Sequence, residues 1–93
     1  MDIRISQSED KESGRVILRV EGRLTREAAE LLEGVCTRYL QRSQTSIVIN
    51  VDGINFIGED GARVLCRLKH LSQVQLDGCS LFTKRVVEQA GVS

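Results

Sequence analysis

The chain has no tryptophan, and its aromatic side chains are one tyrosine and two phenylalanines. Proteins that bind single-stranded nucleic acid stack bases on aromatic rings, so this composition is unfavourable for such a surface. The 13 basic and 13 acidic residues cancel, whereas phosphate binding needs clustered Lys and Arg. We therefore expect no nucleic acid among the partners of this protein.

Long apolar runs are missing as well. No stretch approaches the ~18 consecutive apolar residues of a membrane-spanning helix, so direct insertion into a membrane is not expected. The first residues, MDIRIS, lack the basic segment and apolar run of a secretory signal peptide. Together with the length of 93 residues, these absences predict one cytoplasmic domain over residues 1–93.

The common metal, redox and nucleotide motifs are absent too. Cys36, Cys66 and Cys79 form no C-x-x-C pair, and His70 is the one histidine. In a cytoplasmic protein we expect free and mostly buried thiols. The sequence contains neither a P-loop nor a G-x-G-x-x-G turn. We therefore expect no metal, no cofactor and no catalytic residue.

Four segments have the composition of β-strands. Residues 3–7 and 15–22 alternate apolar and polar side chains around a charged turn, which predicts an antiparallel hairpin. Residues 46–51 form the most apolar strand, which we place in the centre of the sheet, and residues 74–76 form a short one.

Three segments have helical periodicity. The first follows Thr25, whose hydroxyl is suited to cap it, and the second runs over about residues 60–71. The third begins after Ser80, continues through Ala90 and stops at Gly91. The order ββαβαβα predicts an α/β fold with a mixed sheet of four or five strands, about three helices and right-handed crossovers between parallel strands.

The turn before the second helix carries glycines and carboxylates in the order Gly58, Glu59, Asp60 and Gly61. The first turn of a helix has unpaired N–H groups and a partial positive charge, both of which carboxylates stabilise. Asp60 is therefore an N-cap candidate, and Glu59 has the spacing for a helical ion pair with Arg63. A purely structural role would explain both carboxylates.

The same carboxylates could instead present negative charge on a docking surface, or take part in catalysis. Acid–base catalysis needs a second group within reach, and His70 lies about three helical turns from Asp60. Residues 63, 67 and 70 share a helical spacing, so they form either a solvated stripe or a contact for an acidic partner. We expect a docking site made of Gly58, Glu59, Asp60, Gly61, Arg63 and Arg67.

The segment IVINVDGINFIGEDGARVLCRLK, residues 47–69, resembles the signature region of STAS domains, the family of bacterial anti-sigma factor antagonists. Matches to the family pattern are Ile54, Phe56, Ile57, Gly61 and Leu65. The segments GRLT, before the first helix, and VQLDGCSLFTKRVVEQAGV, near the end of the chain, also look like the family. The resemblance implies a STAS fold and a non-enzymatic, protein-binding module in signalling and transcription regulation.

The chain departs from the family pattern at the turn. The resemblance implies a phosphorylatable serine there, and Glu59 stands at that position. No Ser, Thr or Tyr lies between Val51 and Ser72, so the turn has no hydroxyl to accept a phosphoryl group. Glu59 then either imitates phosphoserine, with one negative charge in place of nearly two, or is a remnant of a lost switch.

Several partners remain open at this point. The resemblance implies a kinase-like anti-sigma factor, and the alternative is the ATPase subunit of a bacterial ABC lipid transporter, which small STAS subunits support. A third hypothesis is a sensor of a small ligand or nucleotide. The exposed first strand could also pair with a second copy of the chain and form a homodimer.

Overall fold

The computed structural model describes residues 3–42, 44–79 and 81–92. Within these ranges the elements are β1 (Ile3–Asp10), β2 (Arg15–Leu24), α1 (Arg26–Leu40), β3 (Ser46–Ile57), α2 (Glu59–Lys69), β4 (Val74–Asp77) and α3 (Leu81–Val92). The four strands form one sheet in the order β1-β2-β3-β4. β1 and β2 pair antiparallel, while β2–β3 and β3–β4 are parallel. The predicted α/β fold, its element order and its hairpin are confirmed.

One face of the sheet packs into the hydrophobic core. Alternate residues of β2 and β3 have at most 2% of their surface exposed: Val16, Leu18, Val20, Ile47, Ile49 and Val51. Between them on β2, Arg15, Ile17 and Arg19 are exposed. This period of two is what a half-buried strand requires. The strand order places β3 between β2 and β4, inside the sheet, as expected. β1 lies at one edge, so its pairing with a second copy stays a prediction.

The helices cover the core face. α1 buries Ala28, Ala29, Leu32 and Cys36, which recur at helical spacing, whereas Leu31 is 44% exposed. The predicted cap of α1 is confirmed, because the Thr25 hydroxyl accepts a hydrogen bond from the Ala28 N–H at 3.4 Å. None of the helices in the described ranges is both long and apolar enough to cross a membrane.

Three predicted helix boundaries are wrong. Gly58, not Asp60, is the N-cap of α2: its backbone is extended, and its carbonyl accepts the first helical hydrogen bond, from Ala62 at 2.9 Å. Asp60 therefore lies inside the first turn. α2 ends at Lys69 rather than residue 71, and α3 continues through Gly91 to Val92. The predicted cap Ser80 lies outside the described residues.

The start of α2 lies directly against the end of β2. The Gly58 N–H donates a 3.1 Å hydrogen bond to the Leu24 carbonyl. A Cβ on Gly61 would lie 2.5 Å from that same oxygen and 2.9 Å from Leu24 Cγ. Leu24 is fully buried and its oxygen belongs to the backbone, so neither can move aside easily. Close approach therefore explains the glycine at position 61.

Replacing Gly61 with alanine should destabilise the protein by about 1–3 kcal/mol, because the added methyl overpacks a buried backbone contact. Urea unfolding followed by circular dichroism measures the change. An unfolding free energy equal to that of the unmodified chain would show that α2 can shift away from Leu24 without cost.

Gly34 offers the opposite case and serves as the matched control. It is exposed within α1, and a Cβ there would meet nothing within 4 Å. Gly34→Ala should therefore raise the unfolding free energy by about 1 kcal/mol, the usual difference between the two residues inside a helix. The same urea experiment applies, and a loss of stability would mean that the glycine has a packing role.

Candidate functional site

The site is the corner at which β2 and β3 end and α2 begins. Leu24 pairs with Ile57 at the carboxyl ends of these parallel strands, and Gly58 follows directly. Ligands of open α/β sheets commonly bind outside the carboxyl ends of the strands. The hydrogen bond from Gly58 to Leu24 anchors the corner to the sheet, so the side chains that follow it are held by rigid elements.

Both carboxylates of the corner face outward. The side chains of Glu59 and Asp60 are 79% and 52% exposed. Arg63 Nη2 lies 2.6 Å from Glu59 Oε1, and Arg63 Nη1 lies 3.6 Å from Asp60 Oδ1. The predicted pair of Glu59 and Arg63 is confirmed, but an exposed helical pair contributes only about 0.3–0.5 kcal/mol. Arg63 faces two carboxylates, so these three side chains together keep one net negative charge.

Arg67 lies one helical turn beyond Arg63 and faces α1. Its Nε and Nη2 donate to Glu33 Oε2 at 3.1 and 3.0 Å. This arginine therefore connects α1 to α2, although its side chain is still 61% exposed. The structure places Gly58, Glu59, Asp60, Gly61 and Arg63 together at the corner, with Arg67 at its periphery.

His70 lies at the far end of α2 and does not join the carboxylates. Its Nδ1 is 2.7 Å from the Cys66 carbonyl oxygen and 3.9 Å from Cys66 Sγ. Within the described part of the chain, the ion pairs of Glu59 and Asp60 involve Arg63 alone. The geometry therefore does not bring the histidine within reach of either carboxylate.

Sequence reasoning missed an exposed aromatic side chain beside the corner. Phe56, named above only as a match to the family pattern, is 42% exposed. The guanidinium of Arg23 lies 4.6 Å from the centroid of its ring, within cation–π distance. The ring edge would lie 3.5 Å from a Cβ on Gly58, so it borders the acidic turn.

The register of β2 and β3 explains this exposure. β3 gains an extra residue relative to β2 between Arg19 and Glu21, and another between Gly22 and Arg23. The first shift turns Ile54 toward the core, and the second returns Ile57 to it, so both pack against the core. Phe56 therefore stays on the open face, the side that unbroken alternation from Val51 would also give it. In the sequence, the glycine at position 22 was the sign of an irregular strand. In the structure, its φ is 105°.

The three cysteines are free thiols with different surroundings. Burial, and next the charge of Glu33, raise the pKa of Cys36 to about 11, so this thiol is not reactive near neutral pH. Cys66 is half-buried, and Cys79 is exposed, contrary to the expectation of mostly buried thiols. Among the residues that the structure describes, no three His, Cys, Asp or Glu side chains are grouped to hold a metal ion.

The fold of this chain is shared with a protein of known structure. The fold matches the crystal structure of an antisigma-factor antagonist STAS domain from Rhodobacter sphaeroides with a TM-score of 0.60 and 19% sequence identity. The match covers 82% of this chain and 86% of that one, and at this identity it shows a shared fold. A search among curated proteins found no match. A family model described as the STAS domain matches residues 7–93, and the chain therefore belongs to the STAS domain family.

Proposed function

We propose that this protein is a non-enzymatic, cytoplasmic module that binds a regulatory protein through the corner between β3 and α2. The docking surface comprises Gly58, Glu59, Asp60, Gly61 and Arg63, with Arg67 at its periphery. The observation that carries the proposal is a pair of exposed carboxylates, sharing one arginine, beside an exposed aromatic ring. The structural relative is an antisigma-factor antagonist, which favours a partner of the anti-sigma factor type.

The corner has the physical properties of a binding surface. Its backbone is held by the hydrogen bond from Gly58 to Leu24 and by the tight packing of Gly61, so little order remains to be gained on binding. Phe56 supplies the kind of aromatic side chain that is enriched in interfaces. The unbalanced carboxylate favours a partner with a Lys or Arg at the matching position, which fixes orientation and speeds association.

A serine switch in this turn is excluded by composition. Residues 52–71 contain no Ser, Thr or Tyr, and Glu59 carries its negative charge without modification. Glu59 supplies one charge and two oxygens, whereas a phosphoserine supplies nearly two charges and three acceptor oxygens. We infer that binding at the corner is constitutive and is controlled by partner abundance or by a second site on the module.

Glu59→Lys should weaken binding of the partner by about tenfold or more, because it reverses the charge that faces the partner's cation. The partner is first captured from the native cell and identified, which also distinguishes an anti-sigma factor from an ABC ATPase subunit. Isothermal titration calorimetry with the purified partner then gives the affinity.

Glu12→Lys is the matched control for charge. Glu12 is an exposed glutamate in the turn between β1 and β2, at the opposite end of β2 from the corner. It introduces the same change in net charge and should leave the affinity unchanged. If both variants bind as well as the unmodified chain while folding normally, Glu59 lies outside the interface and the proposed surface is wrong.

Phe56→Ala tests the aromatic part of the surface. Because the residue is 42% exposed and its ring lies beneath the Arg23 guanidinium, its loss should change the stability little but reduce partner affinity by about tenfold. Ile17→Ala is the control, since Ile17 is 44% exposed on the open face of β2. A normal affinity for Phe56→Ala would restrict the interface to the charged side chains.

A further inference from the structure

The two edges of the sheet differ in length. β4 forms one edge with four residues, whereas β1 forms the other with eight. β1 pairs with β2 residue for residue from Ile3 to Asp10, without a bulge. A short edge strand offers few free backbone groups, but a long and regular one presents a row of unpaired N–H and C=O groups. Among the described strands β1 has β2 as its sole partner, so its outer edge can accept a further strand.

The edge of β1 also leaves apolar surface uncovered. Ile5 lies opposite Val20, which is fully buried, so Ile5 and Ile3 both lie on the core face of the strand. The two isoleucines pack against the core but are only half-buried. A strand added at this edge would cover part of the apolar surface that they leave in water.

The open face of β1 carries one charge of each sign. Arg4 lies near the start of the strand and Asp10 at its end, and both are exposed. On the neighbouring strand, Arg4 faces Glu21 and Asp10 faces Arg15. The order of cation and then anion along β1 is complementary to itself when a second copy of the strand runs in the opposite direction.

Symmetry restricts how two copies of β1 can pair. Directly opposed residues of an antiparallel pair have their side chains on the same face of the sheet. In a two-fold dimer both copies have their helices on that same face, so the numbers of two opposed residues must be both odd or both even. Two such registers overlap most of β1. The register centred on Ser6 pairs residues 3–9, and the register centred on Gln7 pairs residues 4–10.

Charge distinguishes these two registers. Centred on Ser6, the pairing would oppose Arg4 to Ser8 and leave Asp10 without an opposed residue within β1. Centred on Gln7, it opposes Arg4 of each copy to Asp10 of the other, twice by symmetry. Directly opposed side chains of opposite charge stabilise an antiparallel pair, so the register centred on Gln7 is the favoured one.

The same register extends a row of alternating charge across the open face. Arg15 and Asp10 of one copy are followed by Arg4 and Glu21 of the other. Every charge in this row of four strands has an opposite charge directly beside it. The row occurs twice in the dimer, once on each side of the two-fold axis.

The polar side chains on the core face of β1 do not oppose this pairing. An uncompensated charge that points inward is one way in which edge strands avoid a further strand. Glu9 points to the core face, but it forms an ion pair with Arg42 of the chain end that follows α1. Gln7, at the two-fold axis, accepts a 2.6 Å hydrogen bond from the Tyr39 hydroxyl through its Oε1.

We propose that the protein forms a two-fold symmetric homodimer in which β1 pairs antiparallel with β1 of a second copy, centred on Gln7 and with Arg4 opposite Asp10. Two sheets of four strands each then join into one of eight. The strands of the two copies run in opposite directions, so the two acidic corners lie at opposite ends of the joined sheet and both remain free. The docking corner contains no residue of β1, so the test of the dimer does not depend on the proposed function.

Sedimentation velocity of the full chain measures the oligomeric state. A reductant keeps the exposed thiol of Cys79 from linking two copies. We expect a dimer that dissociates on dilution. A chain that stays monomeric up to about 1 mM would overturn the proposal and leave the edge open to a strand of another protein.

Two charge reversals test the register. Arg4→Asp alone and Asp10→Arg alone each place like charges at both symmetric contacts, so either change should weaken the dimer by about tenfold or more. An equimolar mixture of the two variants should form a heterodimer about as stable as the unmodified dimer, because position 4 of each variant then faces an opposite charge at position 10 of the other. Arg85→Asp is the control, since Arg85 is exposed on α3, and it should leave the dimer unchanged.

Each of these measurements can contradict the dimer. If both variants associate as tightly as the unmodified chain, the copies meet through another surface, and if the mixture fails to associate, they pair in another register. Either result would overturn the proposal. Hydrogen exchange of the unmodified chain needs no variant: the amides of β1 should exchange more slowly at concentrations at which the dimer forms, and exchange that is independent of concentration would also contradict it.

Discussion

The carbonyl oxygen of Leu24 is the point on which the structure of the acidic corner depends. It accepts a hydrogen bond from Gly58, and it lies against the helix start so closely that residue 61 has no room for a side chain. Leu24 also closes the core, with none of its surface exposed. One buried residue therefore connects the end of β2, the exit of β3 and the first turn of α2.

This connection fixes the position of the first turn of α2 at the protein surface. The first turn of α2 carries carboxylates at a place where the helix dipole stabilises them, so the corner can hold negative charge without loss of stability. Arg63 neutralises part of that charge, and Arg67 is directed to Glu33 on the neighbouring helix. The result is a rigid anionic corner, with Phe56 as its apolar border, whose charge requires no modification.

The sequence by itself determined the fold class, the order of elements and the family. Apolar alternation in strands and helical spacing in helices are local patterns, and the absence of a hydroxyl in the turn is a fact of composition. Local chemistry also identified the Thr25 cap and the pairing of Glu59 with Arg63. These features depend on residues only a few positions apart, so no knowledge of the tertiary structure was needed.

Only the tertiary structure decided the rest, because the decisive contacts join distant parts of the chain. The approach of Gly61 to Leu24 and the pairing of Arg67 with Glu33 are contacts between separate elements. The packing of Ile54 against the core follows from a register shift between β2 and β3, which depends on how two separate strands pair. Spacing along a chain predicts which residues share an element, but only packing determines which elements meet.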